Sequence, residues 1–121
     1  YGIGVVGAFI VGLDGDDSTI FKKVSDFITN NHVHDAQITI ATPLPNTRLR
    51  ARMEKENRLL PTSWKDYTFC DVVFKHPTLS RKEMEDGLLE IYKAINTKAV
   101  HDAKIDHFSD IFRNLRRKKT G

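Results

Sequence analysis

The sequence is poor in cysteine and has no long apolar run. Its 121 residues contain one cysteine, Cys70, so no internal disulfide can form and a reducing, cytoplasmic compartment is expected. No apolar stretch approaches the ~18–20 residues that cross a membrane as a helix, and no basic segment precedes an apolar one as a secretory signal requires. These absences exclude a disulfide-rich secreted fold and predict that the chain has no membrane partner.

Metal-ligating and catalytic patterns are also missing. No pair of the five histidines has the i,i+4 spacing of a zinc site, and no Cys-x-x-Cys occurs. The histidines are His32, His34, His76, His101 and His107. Cys70 is expected to be a buried, inert thiol within a strand. The sequence therefore predicts no metal site and no catalytic residue.

The net charge is a mild +3, and five basic residues crowd the C-terminus. They are Arg113, Arg116, Arg117, Lys118 and Lys119. Cations at the end of a helix interact favourably with its negative dipole end. We therefore interpret this run as a solvated helix terminus, and contact with nucleic acid is not favoured.

The first third of the chain has the pattern of a strand, a helix and a second strand. Residues 2–12 are apolar and predict a buried strand. Asp17 is expected to cap a helix, whose apolar face carries Ile20, Phe21, Val24, Phe27 and Ile28. Residues 35–42 alternate in polarity and predict a second strand, which the two prolines that follow end. This βαβ unit predicts parallel strands with a right-handed crossover.

The rest of the chain predicts a strand and several helices. Thr47 is expected to cap a helix that runs to about Asn57, and residues 66–75 are rich in strand-forming residues. Ser80 and Glu83 form a capping box, and a last helix follows, with Phe108, Ile111, Phe112 and Leu115 on one face. The composition shifts near Pro61, so we predict two parts, 1–61 and 62–121. The chain begins within a strand at Tyr1, which suggests a piece of a longer protein.

Two local motifs suggest other functions. Gly2, Gly4 and Gly7 spell G-x-G-x-x-G, but no strand precedes them and no helix follows, so the context of a dinucleotide site is absent. Asp14 and Asp16 follow a strand, as they would in a magnesium-dependent phosphotransferase with an aspartyl nucleophile. That hypothesis stays open as an alternative, together with a stand-alone binding module.

A longer pattern resembles a known family. Residues 7–16 read Gly-Ala-Phe-Ile-Val-Gly-Leu-Asp-Gly-Asp, and residues 36–47 read Ala-Gln-Ile-Thr-Ile-Ala-Thr-Pro-Leu-Pro-Asn-Thr. Together they resemble late strands of radical S-adenosylmethionine (SAM) enzymes, in the branch with an upstream cobalamin-binding domain. Asn46 stands where that branch has glycine, and asparagine also tolerates a positive φ. The resemblance extends through 57–60, Trp64, Tyr67 and 72–74 to the capping box, as a C-terminal extension.

The resemblance implies an α/β fold: a partial (β/α) barrel with a βαβ unit, followed by a strand and a helical C-terminal extension. It also implies an adenosine-side wall of a SAM site, formed by Phe9, Ile10, Gly12, Thr42 and Leu44. One cysteine cannot hold a [4Fe–4S] cluster, so the cluster, SAM and cobalamin would belong to a larger parent protein. We expect none of them to be bound to this chain alone, which we expect to be inactive. The expected partners are the rest of that protein, an unidentified substrate and further copies of the chain, paired through exposed strand edges.

Overall fold

The computed structural model describes residues 3–119 of the chain. Tyr1 and Gly2, where the predicted strand and the glycine motif begin, lie outside the described residues. The described part contains two strands, four α-helices and one short 3₁₀ turn. In chain order these are β1 Val6–Val11, α1 Ile20–Asn30, β2 Asp35–Ile40, α2 Arg48–Lys55, the 3₁₀ turn Trp64–Asp66, α3 Arg81–Ile95 and α4 Lys98–Lys119.

The two strands pair in parallel, with helix α1 between them in the sequence. The register runs from Val6 opposite Asp35 to Val11 opposite Ile40. The predicted parallel βαβ unit is therefore confirmed. Successive side chains of a strand point to opposite faces, and the face that carries Val11, Ile38 and Ile40 is buried.

The prediction of a partial barrel is wrong. Within residues 3–119 the sheet has two strands, so the fold is a small α/β arrangement of one parallel pair and four helices. The outer face of the sheet is left uncovered, and Val6 and Ile10 are both more than half exposed there.

The predicted third strand at 66–75 is also absent. Thr68 breaks it, because its hydroxyl accepts hydrogen bonds from the amides of Cys70 and Asp71 and so closes a local turn. Phe69 has a φ of 67°, which no strand permits. What remains is one antiparallel bridge between Leu59 and Phe74. Cys70 lies in this turn and is exposed, so the expectation of a buried thiol is wrong as well.

One hydrophobic core joins the inner face of the sheet to α1, α3 and the segment 72–74. Its fully buried side chains include Ile28, Ile38, Phe74, Met84 and Ile91. Buried residues from both sides of Pro61 belong to this core, and the division there stays a prediction. Helix α3 crosses α1 closely at Gly87, which faces the ring of Phe21.

The helix starts follow the capping predictions at two of three positions. Thr47 accepts a hydrogen bond from the Arg50 amide at 3.2 Å, and Ser80 and Glu83 form the reciprocal capping box. Asp17 does not cap α1, which begins at Ile20. Its carboxylate instead accepts from the amide of Thr19, two residues on, as an Asx turn does.

Helix α4 contacts the segment between α1 and β2 through aromatic rings. The rings of His32 and His107 stack with centroids 4.3 Å apart, and Phe108 meets His34 edge-on at 5.1 Å. Within the described residues, no helix has both the length and the apolar character needed to cross a membrane.

Candidate site at the carboxyl edge of the parallel strands

The carboxyl ends of both strands meet at one edge of the sheet, and a loop leaves each of them. The Ala41 amide donates to the Val11 carbonyl at 2.8 Å, which continues the ladder one residue past β2. The loop 12–17 therefore lies beside the loop 42–47. The C-terminal edge of parallel strands is where α/β proteins place their ligand sites.

The first loop is held closed by its own aspartate. Gly12 is buried and has a φ of 84°, a conformation that glycine adopts without a Cβ clash. The Asp16 carboxylate accepts hydrogen bonds from the amides of Gly12 at 2.8 Å and Leu13 at 2.9 Å. The carboxylate thus occupies two amide donors that would otherwise be available to a ligand.

Asp14 is held by two arginines from the segment after β2. Arg58 donates to it at 2.6 and 3.1 Å, and Arg52 donates at 2.9 Å. The hydrogen bonds from the Arg58 guanidinium lower the pKa of the Asp14 carboxyl, and the charges of Arg58 and Arg52 lower it further. Hydrogen bonding to Asp14 and Glu56 correspondingly raises the pKa of Arg58. This network joins the first loop to the residues beyond α2.

We expect Asp14→Asn to destabilise the fold at neutral pH by about 1 kcal/mol, because Asp14 is partly exposed and solvent weakens the pair. A carboxyl whose pKa is lowered on folding contributes stability above its ordinary pKa and loses it as the pH falls through the lowered value. The difference between the two proteins should therefore shrink as the pH falls below about 3.8, the ordinary carboxyl value. Urea unfolding at pH 7 and at pH 3 measures both.

The matched control is Asp26→Asn, since Asp26 forms an exposed i,i+4 pair with Lys22 on α1. Removing that pair should cost only about 0.3 kcal/mol at pH 7. If Asp14→Asn costs no more than this control, the arginine network does not hold the loop.

His76 ties the same loop to the start of α3. Its Nε2 lies 2.7 Å from the Leu13 carbonyl, and its Nδ1 accepts from the amides of Leu79 at 3.0 Å and Thr78 at 3.2 Å. Because a carbonyl can only accept, Nε2 carries a proton. Because Nδ1 accepts from two amides, it carries none, and the ring is the neutral tautomer. The Thr78 hydroxyl adds a bond to the Asp16 carbonyl at 3.1 Å.

Sequence reasoning did not identify His76 or the arginine pair as parts of this edge. The partners lie 38 to 63 residues apart along the chain. A histidine directly before Pro77 and four residues ahead of the N-cap Ser80 could have indicated a loop-closing role, but nothing in the sequence indicated which loop it closes.

The five predicted adenosine-side residues do not all come together. Gly12, Thr42 and Leu44 lie at the carboxyl edge, with Leu44 partly exposed, and Ile10 lies on the uncovered face of β1. The ring of Phe9 lies on the other face of β1, where it meets Phe27 at 5.9 Å between centroids. Of the five, Leu44 therefore offers an exposed apolar side chain at the edge itself, while that of Ile10 is exposed on the sheet face.

The described residues do not fit an iron–sulfur cluster. Residues 3–119 contain the single cysteine of the chain, and in that range no three His, Cys, Asp or Glu side chains are grouped to hold a metal ion. Asp14 and Asp16 are both engaged in hydrogen bonds to the protein. The magnesium phosphotransferase alternative therefore gains no support from this edge.

The polar groups of the predicted adenosine-side residues at this edge already have partners within the chain. The amides of Gly12 and Leu13 already donate to Asp16, and the Thr42 hydroxyl donates to the Ile40 carbonyl at 2.9 Å. Recognition of a ring there would depend on apolar contact, with Leu44 at the edge and Ile10 on the sheet face, and apolar contact is the larger part of most small-molecule sites.

Comparison with known proteins gives one similarity that bears on function. No protein-family model matches the sequence. Over 92 residues the chain is 30% identical to a protein named uncharacterized methyltransferase PH0819, from Pyrococcus horikoshii. The match covers 76% of this chain and spans about a fifth of the length of that relative, 20%. The chain is thus similar to a part of a methyltransferase.

Proposed function

We propose that the chain serves a SAM-dependent methyltransferase of the radical SAM type, as the wall that contacts the adenosine of SAM. The observation that carries the proposal is the meeting of loops 12–17 and 42–47 at one edge of a parallel strand pair. The similarity to a methyltransferase supports it, and so does the resemblance of these two segments to radical SAM strands. When bound, SAM would supply the methyl group, and cobalamin would be an additional carrier.

The chain's own part in this function is positioning. Gly12 lets the backbone turn away at the end of β1. Asp16 and His76 bind the loop directly, and Arg58 holds it through Asp14. A preformed loop loses little entropy when a ligand binds. Ile10 and Leu44 would contact the ring and exclude water from one side of it. The [4Fe–4S] cluster would be held by cysteines elsewhere in the parent protein.

Leu44→Glu tests this proposal in the full-length protein encoded by the reading frame that contains this chain. Leu44 is exposed, so the fold should persist, while a carboxylate beside an apolar ring contact should weaken SAM binding about tenfold. The measurements are the KM for SAM and the transfer of labelled methyl groups. Leu89→Glu is the matched control, because Leu89 is also exposed but lies on α3.

The proposal also predicts an iron–sulfur cluster in the full-length protein. The reading frame should encode a C-x-x-x-C-x-x-C segment upstream of Tyr1, and the purified protein should absorb light as an iron–sulfur protein does. A reading frame without that segment would refute the radical SAM assignment. Equal KM values for the Leu44 and Leu89 variants would refute the assigned wall.

A further inference from the structure

Trp64 is the single tryptophan of the chain, and it is exposed while held in a fixed orientation. It is 63% exposed, although an indole is among the most costly side chains to leave in water. The 3₁₀ turn that carries it is closed by hydrogen bonds between Ser63 and Asp66 in both directions, each 3.0 Å long. The Trp64 ring packs against the ring of Tyr67, with the two centroids 4.9 Å apart.

Arg50 supports the indole from the protein side. Its guanidinium carbon lies 5.2 Å from the centre of the Trp64 ring and 5.8 Å from that of Tyr67. The guanidinium is itself fixed, because it donates to Glu54 at 2.8 Å and to the Tyr67 hydroxyl at 3.0 Å. A cation over one face of an indole binds through the ring quadrupole and leaves the remaining ring surface to solvent.

The supported indole lies next to the candidate site. Arg50 also donates to the carbonyl of Pro43 at 3.4 Å, and Pro43 belongs to the loop that leaves β2. Leu44, the next residue, is partly exposed. A ligand stacked on Trp64 would therefore border the carboxyl edge of the strands.

The surrounding segment is strongly basic. Residues 48–65 carry six arginines and lysines and two glutamates, a net charge of +4, whereas the whole chain has +3. Three of these cations form no ion pair with any residue in the described range. They are Arg48, Lys55 and Lys65. Such a segment attracts phosphate groups.

From these observations we propose that the exposed face of Trp64 binds the base of a nucleotide, whose phosphate is drawn to the basic segment 48–65. Indole–base stacking gives affinity for any base because every base has a π-face. The inference rests on the proposed function and deepens it, since it assigns the methyl acceptor to the nucleotides. A free nucleotide and a nucleotide within a single strand offer the same ring and phosphate, and the experiment below distinguishes the two.

Binding of 1,N6-etheno-AMP, a fluorescent nucleotide, to the 121-residue chain tests the proposal. Fluorescence anisotropy should show saturable binding that AMP reverses and ribose 5-phosphate, which lacks a base, does not. Trp64→Leu should weaken binding about tenfold or more, because the stacking surface is lost. Trp64→Phe keeps a ring and should remain within about threefold of the original affinity.

Phe112→Leu is the matched control. Phe112 is a similarly exposed aromatic residue, 52%, on α4, and its loss should leave the affinity unchanged. Circular dichroism of each variant shows that the fold is intact, so that weak binding is not mistaken for unfolding. The affinity of a short oligoadenylate, expressed per nucleotide, is then compared with that of AMP. Tighter binding of the oligoadenylate identifies a single strand as the ligand, and equal affinity identifies the free nucleotide.

Absence of etheno-AMP binding by the folded chain would overturn the inference, and so would an unchanged affinity in Trp64→Leu. Neither result bears on the SAM site, because this assay contains no SAM and no cluster. Conversely, an inactive iron–sulfur protein with normal nucleotide binding would reject the proposed function and leave the nucleotide site standing.

Discussion

Replacing Phe74 by alanine should destabilise the fold by about 3–5 kcal/mol, the usual cost of removing a buried aromatic side chain. Phe74 is 1% exposed, and it joins the core to the candidate site. The Arg58 guanidinium lies 5.9 Å from its ring centre, and the His76 ring lies 6.4 Å away. The cavity left by the ring would remove the surface on which both loop-holding residues rest.

For a chain of this length the loss corresponds to a fall in the melting temperature of about 10–20 °C. Thermal unfolding followed by circular dichroism measures it. Phe112→Ala removes the same side chain from an exposed position on α4 and should cost less than about 1 kcal/mol. A cost below 1 kcal/mol for Phe74→Ala as well would show that the segment 72–74 does not complete the core.

The local elements of the fold were predictable where the signal lies within a few residues. Apolar periodicity identified α1, and the capping residues Thr47 and Ser80 marked the first turns of α2 and α3. The positive φ expected at Asn46 is confirmed at 63°. Each of these features depends on residues within about one helical turn, so a local sequence pattern is enough to predict it.

The errors arose where a local pattern competes with a side-chain turn or with distant packing. Residues 66–75 have the composition of a strand, yet one hydroxyl, that of Thr68, captures two amides that a sheet would need. The barrel was inferred from a resemblance between strands, and strand sequence does not encode how many neighbours a strand has. Composition favours extended backbone, but it does not provide a pairing partner.

The candidate site was predictable in location and only partly in content. The carboxyl edge follows from the parallel βαβ pattern, and Gly12 and Thr42 do lie there. The roles of the aspartates were not predictable, because Asp14 and Asp16 look alike in sequence. Asp14 pairs with Arg58, 44 residues away, while Asp16 accepts from amides three and four residues back. Only the hydrogen bonds of Asp16 join residues that are close in sequence, so only they could be predicted from a local pattern.

Gly87→Ala should lower the free energy of unfolding by about 1–2 kcal/mol, against the sign expected of a helical glycine. At an exposed helix position this change stabilises by about 1 kcal/mol, because alanine has the higher helix propensity. At Gly87, however, a Cβ would lie 2.5 Å from Cγ and Cδ1 of Phe21. Overpacking of this kind costs about 1–3 kcal/mol, and Phe21 is buried, so its ring has little room to move.

The origin of the loss can be isolated by a double mutant. Phe21→Leu removes the ring that an alanine at position 87 would meet, so adding Gly87→Ala to Phe21→Leu should cost nothing or stabilise the protein. The coupling free energy from such a cycle reports the contact between α1 and α3 directly. Gly15→Ala is the control, because a Cβ there has no heavy atom within 4 Å, and it should change stability by less than about 0.5 kcal/mol. If Gly87→Ala alone makes the chain more stable than the unchanged protein, the two helices do not cross as closely as Gly87 and Phe21 indicate. Helix propensity then governs the stability at this position.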